Sequence, residues 1–219
     1  MQLTLLLLAA LLAVTCGPAV AGSDADTPAR SARETDLQAG AVMFRQCALC
    51  HGQHGQGIIG GKYPRIGGLP DYYLLKALRD YKTGERGYDA MLVVGGLKHA
   101  DEAALADLAA YIAAIEVQVA IPTPEQGNIR KGDRLFRNDC RTCHGRAAQG
   151  MERKESPPLV GQYHEYLLRQ IGLFRTGHRV HANDPEDDTF VAYDEEDLRN
   201  IIAYIVSLNP KPEPIAATP

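Results

Sequence analysis

Apolar residues along most of this chain recur three or four positions apart, the period of an amphipathic helix. Leu105, Leu108, Ile112 and Ile115 form one such stripe behind Asp101, a helix-capping residue type. Leu198, Ile201, Ile205 and Leu208 form a second behind Asp194. Earlier helices are predicted over residues 35–49 and 70–81, separated by the glycine-rich loop HGQHGQGIIGGKYPRIGG. No pair of segments alternates in the manner of strands, so the pattern specifies an all-α protein whose stripes form its core.

The same elements are written twice. Cys47 and Cys140, His51 and His144, Pro64 and Pro157, Tyr73 and Tyr166, Arg86 and Arg179, and Tyr111 and Tyr204 each lie 93 positions apart. The block YLLKALRDYKTGER returns as YLLRQIGLFRTGHR. One offset held from the first cysteine to the closing helix predicts two structural copies. We place them at residues 35–118 and 128–209, joined by an extended, proline-containing linker at 119–127 and followed by a flexible tail at 210–219. Ahead of the cysteines the register slips: Phe136 precedes Cys140 by four residues, Phe44 precedes Cys47 by three, and Met43 takes the slot that matches Phe136. Met43 is expected to pack there.

Residues 3–14 are almost wholly apolar but short of the about 20 residues needed to span a bilayer. With the small-x-small site Ala19-Val20-Ala21, residues 1–21 read as a cleavable signal peptide that exports the chain to the periplasm. A lipoprotein cut before Cys16 is the rival, with Ala13-Val14-Thr15 a poor lead-in. The formal net charge of −4 is of the wrong sign and too small for a nucleic-acid binder. Basic residues crowd between Arg130 and Arg179, and carboxylates between Asp184 and Asp197.

The cysteines narrow the chemistry. Beyond Cys16, the remaining four fall in two identical frames, CALCH at 47–51 and CRTCH at 140–144. C-x-x-C-H is the attachment signature of c-type haem. Two thiols at i and i+3 share one helical face and add across two vinyl groups, and the next histidine turns its imidazole to the iron. The frames thus assign Cys47, Cys50, Cys140 and Cys143 as covalent haem attachments and His51 and His144 as axial ligands of two haem c groups. A four-cysteine zinc site would pair halves 93 residues apart, against about 15–20 in ordinary zinc motifs. A redox CxxC would need strands that the pattern lacks. Small helical units of this size also bury too little apolar surface to be comfortable alone, and a flat ring at the centre of each supplies the deficit. Pro64 and Pro157 each follow their histidine by 13 residues, where a carbonyl can accept the imidazole Nδ1–H and fix the ring.

CALCHG and CRTCHG, the P-x-[IL]-x-G that follows each, the YLL helices, TGxR, and the closing AAYI and IAYI resemble the dihaem cytochrome c4-type family. The resemblance covers the whole mature chain. It implies two tandem class I cytochrome c domains related by pseudo-two-fold symmetry, propionate edges brought together, His/Met ligation at both irons, and electron carriage in the periplasm.

The copies part at the distal ligand. Met91 lies in the loop where the family supplies its thioether, and is read as the sixth ligand of haem 1, with the helix-cap neighbour His99 as the alternative. The 93-residue offset carries Met91 onto Asp184, and the second loop has no methionine. Met151 follows His144 by seven residues, on the proximal side, and would need a rearranged loop. The remaining donors are His181, three residues before the Met91 slot, and His178, inside the shared TGxR end. Two readings stay open: haem 2 is ligated by His181, or its distal site is open or filled by water. Imidazole donates more strongly than thioether, and Asp184, Glu186, Asp187 and Asp188 add negative charge, so haem 2 is expected to have the lower potential.

These features point to an electron carrier with unequal haems rather than an enzyme. Its expected partners are redox proteins: a quinol-oxidising complex or dehydrogenase upstream, an oxidase or reductase downstream. The rival is a haem enzyme or gas-binding module using an open second haem, for which Arg175, Arg179 and His181 are the nearby acid–base candidates.

Overall fold

The computed structural model of the chain describes residues 34–87, 89–117 and 127–209. The expected signal segment, the linker apart from Gly127, and the tail lie outside the described residues. Helices and loops make up the described chain, with isolated bridges in place of strands.

In the first copy, helix α1 (Leu37–His51) runs two residues beyond the predicted end, carrying Cys47, Cys50 and His51 on its last turns. Asp36 caps it by accepting from the Gln38 and Ala39 N–H groups. Helix α2 (Asp71–Thr83) follows Pro70, and α4 (Glu102–Ala113) is capped by Asp101. Between them the distal loop, expected to be irregular, forms a short helix α3 (Asp89–Val93) and a 3-10 turn at Leu97–His99. The predicted stripe is the core: Leu105, Leu108 and Ile112 are buried with Phe44, Cys47, Leu74 and Leu97. Ile115 packs at its edge.

The second copy repeats this frame with one change. Helix α5 (Ile129–Leu135), a π-helical turn at Phe136–Cys140 and helix α6 (Arg141–His144) together replace α1. Helix α7 (His164–Arg175) answers α2, and α8 (Glu195–Ser207), capped by Asp194, answers α4. Leu198, Ile201 and Ile205 are buried with Phe136, Tyr163 and Leu167.

The π turn corrects the sequence reading of Met43. Phe44 packs on Tyr111 with ring centroids 5.4 Å apart at 54°, and Phe136 packs on Tyr204 at 5.4 Å and 52°. The two phenylalanines are therefore the equivalent pair, although 92 positions separate them. A π turn accommodates one extra residue in a helix without rotating what precedes it. Upstream of it the copies are offset by 92, downstream by 93, and Met43 is a partly buried neighbour of the first core.

The same offset places the helix crossings. Gly40 and Gly132 sit where the first helix of each copy meets the closing one. A Cβ on Gly40 would lie 2.2 Å from the Asp107 carbonyl oxygen, and one on Gly132 would lie 1.9 Å from that of Asn200. The side chains of those two residues then accept from the N–H of the opposite helix cap, Asp36 at 2.8 Å and Asn128 at 2.6 Å.

The copies meet along a polar seam. Arg65 donates to the Gly161 carbonyl at 2.7 Å, while its own backbone exchanges two bonds with the buried Gln162 side chain. Tyr72 donates to the Ser156 carbonyl, Tyr163 to that of Gln56, and Arg169 to that of Gly61. Arg86 bridges to Arg179, its own equivalent. A residue pairing with its counterpart is what a two-fold relation between the copies produces.

Candidate haem-binding sites

Each CxxCH motif ends its helix against a loop that returns a proline to the histidine. Gly57 N–H donates to the His51 carbonyl at 2.7 Å, and Gly150 to that of His144 at 2.8 Å. Both glycines have φ near +80°, and a Cβ on either would strike the backbone at or beside Pro64 or Pro157 at 2.6–2.8 Å. Glycine thus lets the loop fold tightly enough to bring the proline carbonyl in. His51 Nδ1 donates to Pro64 O at 2.8 Å, and His144 Nδ1 to Pro157 O at 3.0 Å.

A carbonyl only accepts, so the proton of each ring sits on Nδ1 and Nε2 keeps its lone pair, the form that binds a metal. Burial pushes both imidazoles below the ordinary histidine range and outweighs the proline hydrogen bonds, which favours the neutral ring. His51 is 5% exposed.

The four cysteines of the two motifs form no disulfide with one another. Burial pushes the Cys47 thiol up to about 11, and burial with the neighbouring Asp139 carboxylate pushes Cys140 up to about 12. Redox CxxC motifs depress a thiol instead, so this environment does not suit them. Among the described residues no three His, Cys, Asp or Glu side chains converge to hold a bare metal ion.

The distal loops differ as the sequence suggested, and the structure brings one predicted pair together. The His144 and His181 rings lie with centroids 6.4 Å apart and planes within 23° of parallel. Two imidazole nitrogens on one metal, each bonded at about 2.0–2.1 Å, need ring centres about 6 Å apart. His181 Nδ1 donates to Asp187 Oδ2 at 2.7 Å, so Nε2 is the ring nitrogen that the carboxylate does not engage. Phe174 and Phe190, themselves stacked at 5.6 Å, both pack against the ring, with centroids 4.9 and 4.8 Å from it. A two-residue left-handed turn at Ala182 and Asn183, closed by Asp184 N–H on the His181 carbonyl at 2.9 Å, sets this arrangement. Burial raises the Asp187 carboxyl, and its bonds to Thr189 and His181 outweigh that and hold it below the usual carboxylate range.

The other distal candidates go elsewhere. Met91 is half-buried on α3 against the core cluster that contains Cys47 and Phe44. His99 and His178 are exposed, the latter bonded to Thr176. Met151 is pinned in a hairpin with Ser156, in the loop that carries Pro157. Arg175 pairs with Glu195, and Arg179 bonds Gln170 while lying over the Phe174 ring.

One feature of the site escaped the sequence reading. Arg86 is 6% exposed at the seam, donating to Tyr166 OH at 2.6 Å and Tyr73 OH at 3.3 Å, and lying over the Tyr81 ring. Arg179 is close by through Gln170. Burial raises the Tyr73 hydroxyl, yet the two guanidinium groups outweigh it and bring it down to about 8. Among the described residues no carboxylate bonds either arginine. A buried guanidinium and a half-buried one, neither bonded to a carboxylate, suit a group that brings its own carboxylates, as haem does. The signal was present as the repeated TGxR, whose first arginine had no assigned role and whose second, Arg179, was weighed only as an acid–base candidate.

Paired thiols beside a neutral imidazole, occurring twice in one helical frame, define a tandem c-type haem protein. Comparison narrows the class. The cytochrome c family model matches residues 37–116 and again 129–209. Cytochrome c4 of Pseudomonas aeruginosa is 29% identical over 184 residues, covering 80% of this chain and 89% of that one. A thiosulfate dehydrogenase electron acceptor of Stutzerimonas stutzeri is 34% identical over 158 residues, 64% of this chain and 67% of that one. The crystal structure of reduced recombinant cytochrome c4 from Pseudomonas stutzeri superposes with a TM-score of 0.67 at 26% identity, covering 78% of this chain and 98% of that one.

The chain belongs to the cytochrome c family, as a dihaem cytochrome of the cytochrome c4 type with two covalently bound haem c groups. It is an electron-transfer protein.

Proposed function

We propose that the chain is an exported carrier whose haems are deliberately unequal: His51/Met91 at haem 1 and His144/His181 at haem 2, with haem 2 the lower in potential. The opposed pair His144 and His181, each with its Nδ1 anchored outward, is the observation that carries this reading. When bound, haem supplies one-electron exchange between ferric and ferrous iron. The chain's residues do the rest. Cys47, Cys50, Cys140 and Cys143 tether the rings, and Pro64 and Pro157 hold the proximal imidazoles from behind. Arg86 and Arg179 at the seam are suited to hold propionates of both groups, which would keep the two sites edge to edge. Phe174 and Phe190 pack against His181 and Asp187 anchors its Nδ1, which supports a closed distal site over an open one and therefore a carrier over a haem enzyme or gas binder.

The leader at residues 1–21 supports a periplasmic location, and among the described residues no helix is long and apolar enough to cross a membrane. Partners are redox proteins, with a quinol-oxidising complex or dehydrogenase supplying electrons and an oxidase or reductase receiving them. The likeness to a thiosulfate dehydrogenase electron acceptor supports a dehydrogenase as donor.

Low-temperature EPR of the oxidised holoprotein, with carbon monoxide binding to the reduced form, tests the ligands. Two low-spin signals and no carbon monoxide binding are expected of the native protein. His181→Ala loses one signal and opens one haem to carbon monoxide. A haem 2 signal indifferent to that substitution refutes His181 as ligand.

A further inference from the structure

Three imidazoles in the two sites donate through Nδ1, and they do not donate to the same kind of acceptor. His51 and His144 reach neutral carbonyls at 2.8 and 3.0 Å. His181 alone reaches a carboxylate, at 2.7 Å. The other oxygen of that carboxylate accepts from Thr189 Oγ1 at 2.6 Å, and its backbone N–H is tied to the Asp184 carbonyl at 3.1 Å. The Asp187 side chain is only 14% exposed, and that of His181 23%. The pair is therefore shielded and oriented, unlike the solvated carboxylates around it. The first copy has nothing similar, because the 93-residue offset carries Asp187 onto Val94 and Thr189 onto Gly96.

An ionised acceptor on the far nitrogen makes an imidazole a stronger donor to its metal, since the ring takes on part of the anion's charge. A stronger donor stabilises ferric over ferrous iron. We propose that Asp187, aimed by Thr189, is a positioning residue that depresses the potential of haem 2 through His181. The potential gap between the haems then has two sources: the exchange of methionine for histidine, and the charge placed behind that histidine.

This inference rests on His181 being the ligand, so the test reads ligation and potential separately, on the full holoprotein. Oxidised samples of the native protein, Asp187→Asn, Asp187→Glu and Thr189→Val are compared by EPR and by spectroelectrochemical titration of both haems. Asparagine keeps the shape and an acceptor oxygen but removes the charge. The expected result is a retained bis-imidazole low-spin signal, an upward shift of the lower midpoint alone, and a smaller shift in the same direction for Thr189→Val. Asp187→Glu, which keeps the charge, stays closer to the native midpoint. Unchanged midpoints with the low-spin signal intact overturn the inference while leaving His181 ligation standing. A high-spin haem 2 in Asp187→Asn also overturns it, showing a strut that holds His181 rather than a charge that tunes it. Absence of a bis-imidazole signal in the native protein removes the ligand reading itself, and the inference with it.

Discussion

Gly132→Ala adds one methyl group at the crossing of α5 and α8, and the structure says what it meets. The new Cβ lies 1.9 Å from the Asn200 carbonyl oxygen, 2.5 Å from its carbon and 3.0 Å from Tyr204 Cβ. Ordinary contact begins at 3.4 Å, so the helices must part by about 1.5 Å. The obstacle is backbone, which cannot rotate aside, so the overpacking cost belongs near the upper end of the usual range, about 3 kcal/mol. Parting also stretches the 2.6 Å bond from Asn128 N–H to the Asn200 side chain, worth about 1 kcal/mol. The intrinsic helix preference of alanine returns about 1 kcal/mol. The net loss is about 3 kcal/mol, or roughly 12–24 °C in the melting temperature of a domain this size. Thermal unfolding of the holoprotein, followed by far-ultraviolet circular dichroism and Soret absorbance, measures it. Gly172→Ala in α7 is the control: nothing lies within 4 Å of its Cβ, so it should be neutral or slightly stabilising. A Gly132→Ala protein that melts with the native one refutes the close-crossing argument.

Two further outcomes follow from the asymmetry and the seam. Deleting Asn138, exposed in the π turn, gives the second copy the Phe–Cys spacing of the first; it should convert the turn to α-helix and leave both haems attached, as mass spectrometry and Soret stoichiometry would show. Loss of haem 2 from that variant would mean the π turn is needed for attachment. Arg86→Gln removes a buried cation and should lower the midpoint of at least one haem, on the order of tens of millivolts, because ferric iron is the more positive state. Titration with unchanged midpoints would show that the arginine is neutralised without contact to the redox groups.

The frame was legible because each of its parts has a local cause. The stripe Leu105, Leu108, Ile112 declares a buried face at helical period, Asp101 and Asp194 declare where the closing helices start, and CxxCH followed by a proline declares both a cofactor and its orienting carbonyl. The π turn was half-legible. The slipped spacing of Phe44 and Phe136 was visible, but a spacing cannot say whether an added residue rotates the helix or bulges from it. The packing of both rings on Tyr111 and Tyr204 decides that. Asp187 was one of several acidic residues in a row, and only the turn at Ala182 and Asn183 singles it out by folding the loop back on itself. The seam arginines were hidden for a similar reason: a repeated TGxR looks like a helix end until the two-fold relation puts Arg86 against Arg179.

That division also explains how one duplicated unit can hold two different irons. The cores, caps and helix crossings of the two copies are nearly interchangeable, down to the tilt of a phenylalanine on a tyrosine. The distal loop lies outside those crossings, so a change there costs the fold little. The first copy spends the loop on helix α3, which presents Met91 against the core. The second gives up that helix for a tight left-handed turn that presents His181 against two phenylalanines and backs it with a carboxylate. A duplicated chain with identical loops would give two sites of similar energy and little direction to electron flow between them. Different loops on a shared frame separate the two energies while the seam keeps the sites together, and it is the ligand loop, not the frame, in which the difference between donor and acceptor sides would be written.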